Sequence, residues 1–218
     1  MLQRRLATVG IALSLGLLAW TACLAQEPQS KMDELWSKAA TQIREGDRDG
    51  ALATAKQAVA ANADDPDAWW LLSWVHGQRG EYGESEAACR EGLRNHPDHP
   101  GLHSDMGLAL LYQSRFDEAI AAFRLAAQHA KDDASKCLAR TNVGWALLKA
   151  GKPEEAVAEL NEAIAVKQDV AFSHELLGEA LWALGRKEEA LVEYRRAIEL
   201  DATSAQARNK LGLALYLE

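Results

Sequence analysis

KAGKPEEA (149–156) and ALGRKEEA (183–190) carry the reading of this chain. Each has a glycine closing one helical run, a short polar turn, and two glutamates before the alanine of the next run. Glycine suits a helix end because it takes the left-handed conformation without steric cost, and acids suit the first turn of the helix that follows. The figure recurs at REGDRDGA (44–51) and QRGEYGES (78–85), and in QSRFDEA (113–119) Ser114 stands where the glycine would be. The steps between Gly46, Gly80, Ser114, Gly151 and Gly185 are 34, 34, 37 and 34 residues. A step that regular marks stacked copies of one helix-turn-helix module.

Small residues keep the same phase. Ala39, Ser73, Gly107, Gly144 and Gly178 recur in the first helix of each unit, and Gly212 begins a sixth. In the second helices they come in pairs, such as Ala119 and Ala126 or Ala156 and Ala163, seven residues and so two turns apart. Helices approach closely only where side chains are this small, so these positions predict the contact of a helical hairpin. Trp69 and Leu72, Met106 and Leu110, Val143 and Leu147, and Leu177 and Leu181 predict the apolar stripe facing it. Cys89, Phe123, Leu160 and Tyr194 hold the matching place on the second helices.

On these residues the chain resembles the tetratricopeptide repeat family, whose pattern reads W-x2-L-G-x2-Y, then A-x3-F, then P. The carriers are Trp69-x2-Leu72-Ser73, Met106-Gly107, Val143-Gly144, Leu177-Gly178, Ala119-x3-Phe123, Ala190-x3-Tyr194 and Pro97. The resemblance implies an all-α, right-handed αα superhelix, or solenoid, of five repeats over 32–65, 66–99, 100–136, 137–170 and 171–204. Residues 205–218 would follow as a capping helix or a partial sixth repeat. The three extra residues of the longest step fall in KDDASK (131–136), read as a loop or an extended helix end.

Residues 1–25 stand outside this pattern. MLQRR is a short positive start, LATVGIALSLGLLAW an apolar run, and TACLAQ a small-residue cleavage region, which together read as an export signal followed by a linker over 26–31. Two processing routes are open: cleavage after Ala25, or acylation of Cys23 within Trp20-Thr21-Ala22-Cys23, which looks like a lipobox. The expected address is therefore exported, periplasmic or secreted, with an outer-membrane lipoprotein as the acylated alternative and Cys23 as its lipid anchor. The chain has a net charge of −8 and no basic stripe, which argues against a nucleic-acid partner. Cys89 and Cys137 sit two units apart, too far for a disulfide.

NHPDHPGLHSD (95–105) raises a competing reading, because His96, His99 and His103 are zinc-type ligands and Asp98 and Asp105 could complete or orient a site. The repeat phase disperses them. His96 falls in the link between units two and three, His99 at the start of the next helix, and His103 inside it, where the family often has tryptophan. A metal or metalloenzyme site at His96, His99 and His103 is the alternative. No cysteine or serine has a histidine and a carboxylate placed beside it, so no catalytic residue, cofactor or enzyme activity is expected.

Resemblance implies that the first helices line a concave face and that the protein is an interaction scaffold. The stripe next to each hairpin contact then predicts a groove of Trp36, Trp70, Trp74, Leu108, Leu111, Tyr112, Trp145, Leu148, Glu175, Glu179, Trp182 and Tyr216. Tryptophan offers large contact area with few torsions to freeze, so this groove suits a protein or peptide partner with an apolar or helical segment. Glu175 and Glu179 would favour a basic neighbour. Asn142 and Lys149 alone do not make up a full carboxylate-binding set, since Ser104, Leu108 and Phe172 stand where its other basic residues would be. A second copy of the chain is a further candidate occupant, and assistance to pilus or secretion-machine assembly a narrower role.

Overall fold

A computed structural model describes residues 31–216, and eleven helices account for nearly all of them. The helices pair as α1 (Lys31–Glu45) with α2 (Arg48–Ala61), α3 (Pro66–Arg79) with α4 (Tyr82–Asn95), and α5 (Pro100–Tyr112) with α6 (Phe116–His129). Then follow α7 (Asp133–Lys149) with α8 (Pro153–Val166), α9 (Ala171–Ala183) with α10 (Lys187–Leu200), and α11 (Ala205–Tyr216), which packs on α10. The result is the helical repeat solenoid expected from the 34-residue step. The fourth unit differs by its extended first helix: Asp132 accepts from the Ser135 N–H as N-cap, and α7 opens at Asp133, four residues before Cys137. The extra residues of KDDASK thus become an added turn of helix.

All five hairpin turns close in one way. Gly46, Gly80, Gly151 and Gly185 have φ between 73 and 85°, and Ser114 takes the same left-handed place at 62°. Each donates its N–H to the carbonyl three residues back, and the next residue donates five back, as in Gly151 to Leu148 and Lys152 to Leu147. This double bond pattern satisfies carbonyls that a helix end leaves open. The linkers between units close through rings. Trp69 Nε1 donates to the Ala63 carbonyl at 2.8 Å, His103 Nε2 to Pro97 at 2.7 Å and His174 Nε2 to Gln168 at 3.0 Å. The three rings are at equivalent places, each reaching six residues upstream, and the histidines replace indole as donors.

Within each hairpin the helices cross at one pair of side chains, sixteen residues apart in sequence: 39 with 55, 73 with 89, 107 with 123, 144 with 160 and 178 with 194. Their sizes compensate. A Cβ on Gly107 would lie 2.6 Å from the Phe123 ring, one on Gly144 2.5 Å from Leu160 Cγ, and one on Gly178 2.6 Å from the Tyr194 ring. Where the first helix carries Ser73 or Ala39, the partner shrinks to Cys89 or Ala55, and all four are fully buried. Cys89 is a packing residue. It and Cys137 are both free and buried.

Each second helix packs against the next unit's first helix. First helices also touch one another directly, α1 with α3, α3 with α5 and α7 with α9. The side on which successive units lie closest is the inside of the curve, so the first helices form the inner face.

Two outcomes follow. Gly107→Ala should destabilise by about 1–3 kcal/mol through overpacking, and Phe123→Leu should relieve it. In urea unfolding the double variant should lose less than the sum of the singles by about 1 kcal/mol, and strict additivity would show that the two sites are independent. At the turns, Ser114→Gly should stabilise by about 0.5 kcal/mol by removing left-handed strain, whereas Gly151→Ser, where a Cβ meets no neighbour, should cost about 1 kcal/mol.

Candidate binding groove

The inner face carries a discontinuous aromatic lining. Trp36 of α1 meets Trp70 and Trp74 of α3, with ring centroids 4.9 and 5.6 Å apart. Trp70 continues to His99 at 5.6 Å and lies flat on Gly101, where a Cβ would stand 2.5 Å from the indole. A second run crosses the middle units: Tyr82 stacks on Tyr112 at 4.7 Å, Tyr112 meets Trp145 edge-on at 6.0 Å, and Trp145 meets Phe172 at 6.2 Å. All five expected groove tryptophans, Trp36, Trp70, Trp74, Trp145 and Trp182, are half-buried. Each thus spends part of its surface on packing between units and leaves part open. Leu108, Leu148 and Trp182 pack against the core in the same half-buried way, with Lys187 Nζ 5.5 Å above the Trp182 ring. Tyr112 and Tyr216 are exposed.

Two expected groove residues lie elsewhere. Leu111 is buried in the core with Leu110, Ile120 and Leu147, whereas Tyr112 beside it in the last turn of α5 stays exposed. Glu175 is also buried, and the basic neighbour it was expected to attract comes from the chain itself: Lys210 of α11 pairs with it at 3.0 Å and also with Glu179. Stacking of α11 on the fifth unit brings this cation across. Asn142, too, is buried.

The three histidines of the link between units two and three do not converge. His96 Nε2 donates to the Asp64 carbonyl at 2.7 Å. His99 Nδ1 accepts from the Leu102 N–H as N-cap of α5, while its Nε2 donates to Asp67 at 3.0 Å. His103 ties back to Pro97. Among the described residues no group of three His, Cys, Asp or Glu side chains is placed to hold a metal ion, so the metal alternative loses its geometry. Burial holds His103 below the usual imidazole range, whereas the Glu193 carboxylate at 2.7 Å holds His174 above it. Cys23 lies outside the described residues.

Two cavities open along the lining. One, of about 300 Å³, lies between α3, α5 and α7, bounded by Trp70, His99, Gly101, Ser104, Lys131 and Leu138. The added turn of α7 forms part of its wall through Asp132 and Ser135. The other, of about 250 Å³, is walled by Trp74, Tyr82, Leu108 and Tyr112 with Asp105 in its lining. Tyr82 and Asp105 were not among the expected groove residues. Tyr82 opens a second helix, outside the stripe that was read. Asp105 had a visible signal, since it is an acid at the place that Leu71, Asn142 and Leu176 hold in the second, fourth and fifth units.

Comparison with known proteins agrees with this architecture. Family models described as tetratricopeptide repeat match residues 38–100 and 98–169, and one described as TPR repeat matches 178–217. No curated protein matches the chain in sequence. Among solved structures, a thermophilic TPR protein of Thermus thermophilus is 19% identical with a TM-score of 0.71, covering 85% of this chain and 99% of its own. The pilF protein of Pseudomonas aeruginosa is 16% identical with a TM-score of 0.71, covering 81% and 79%. MamA is 17% identical with a TM-score of 0.64, covering 83% and 99%. At these identities the likeness is one of fold. The repeat models, the shared turns and the stacked hairpins together show that the chain belongs to the tetratricopeptide repeat family, as a helical solenoid of the protein-interaction scaffold type.

Proposed function

We propose that this protein is a non-enzymatic adaptor that holds an apolar or helical segment of a partner polypeptide along its inner aromatic face, outside the cytosol. The observation that carries the reading is the set of half-buried tryptophans on that face, Trp36, Trp70 and Trp74 in one group and Trp145 in a second, where Tyr112 and Phe172 beside it are exposed. Half-burial matters because it fixes each ring in place beforehand. A partner then gains aromatic contact area without ordering flexible side chains, which lowers the entropic cost of binding. The histidine link, occupied with caps and carbonyls, has no convergent group left for chemistry. The address outside the cytosol rests on the character of residues 1–25, with Cys23 as the anchor if acylated. The mass of the mature N-terminus decides between cleavage after Ala25 and a lipid-bearing Cys23.

Trp74→Ala combined with Trp145→Ala should abolish capture of envelope partners while circular dichroism shows helicity close to that of the parent. Loss of helical signal equal to that of Gly144→Leu, which drives a side chain into Leu160, would show that these indoles serve the core alone and would end the docking reading.

A further inference from the structure

The inner face carries one acid out of pattern. Asp105 falls at the place held by Leu71, Asn142 and Leu176 in the second, fourth and fifth units, and all three of those are buried. A carboxylate at such a place is costly unless it is well partnered. Its hydrogen-bond partner here is neutral: Ser73 Oγ donates to Asp105 Oδ2 at 2.7 Å. The nearest basic ring, His99, is already engaged through both nitrogens with Leu102 and Asp67. Burial pushes the Asp105 carboxyl up to about 7.

Two buried acids of the chain have found cations. Glu86 is gripped by Arg115 through two contacts of 2.8 Å, and Glu175 by Lys210. Among the described residues Asp105 has no such partner, yet it lines an open cavity of about 250 Å³. The walls of that cavity are rings, Trp74, Tyr82 and Tyr112, and ring faces attract cations. A carboxylate in a cavity lined by aromatic rings is a complementary site for one long basic side chain.

We propose that Asp105, with Trp74, Tyr82 and Tyr112 around it, is a socket for a lysine or arginine of the partner polypeptide, whose neighbouring apolar residues lie on the flanking rings. This rests on the docking reading above and adds a charge rule to it. The stem of the basic side chain packs along Leu108 and the rings while its head reaches the carboxylate. A partner segment lacking a basic residue at that point would leave Asp105 facing a desolvated interface alone.

The test uses random peptides displayed on phage, selected on the immobilised protein, with affinities of the recovered peptides measured by tryptophan fluorescence. Selected peptides should be enriched in a lysine or arginine flanked by apolar residues. Replacing that residue by methionine should weaken binding to the parent protein about tenfold, a comparison that needs no protein variant. Asp105→Asn should weaken the basic peptide by a similar factor and leave the methionine peptide nearly unchanged. Peptides that bind on Trp74 and Trp145 with no basic enrichment, or whose affinity is indifferent to the methionine replacement, would overturn the socket and leave the groove standing. Failure to recover any peptide sensitive to Trp74→Ala with Trp145→Ala would overturn both.

Discussion

At each hairpin crossing two side chains share one confined space, and the rest of the molecule hangs on that constraint. Glycine opposite phenylalanine, leucine or tyrosine, serine opposite cysteine, and alanine opposite alanine are five divisions of that space. Because each is filled, the two helices of every unit meet at a similar distance, and units built alike can stack with a constant step. A constant step brings first helices alongside one another on the inner side. The aromatic lining is a consequence two levels removed: its rings line up because the hairpins beneath them are uniform.

The joints between elements are uniform for a different reason. Left-handed residues at the turns and ring donors at the links each satisfy backbone groups that helix ends leave open. At the fourth unit Arg140 takes the ring's place and pairs with Glu159 and Glu162 instead. That unit also carries the added turn of α7, and α5 and α7 are not packed as closely as α1 with α3, α3 with α5 or α7 with α9. The cavity beside Trp70 lies at this interruption.

Fold was legible in the sequence to the level of the unit because its determinants repeat. Glycine spacing, paired small residues and the apolar stripe are each stated several times, and one exception such as Ser114 does not break the phase. The groove was legible only in part, because a helical stripe gives a direction but not what stands opposite. Trp36, Trp74 and Trp145 lie on the inner face as the stripe implies. Leu111 belongs to the same stripe, yet it is sealed in the core while Tyr112 beside it stays exposed. Glu175 reads as a free acid until α11 lays Lys210 across it, a pairing over 35 residues that no local pattern encodes. Tyr82 joins the lining from a second helix through its stack on Tyr112.

The pairing of sizes at the crossings also bears on how such a chain can change by duplication and exchange. First helices bearing glycine face large partners, Phe123, Leu160 and Tyr194, whereas those bearing Ser73 and Ala39 face the small Cys89 and Ala55. Exchange of single helices between units would therefore create either a void or a clash, whereas breakpoints at the interhelical links that separate whole hairpins leave every matched pair intact. The piece of this scaffold that can be exchanged without disturbing its packing is therefore the closed hairpin.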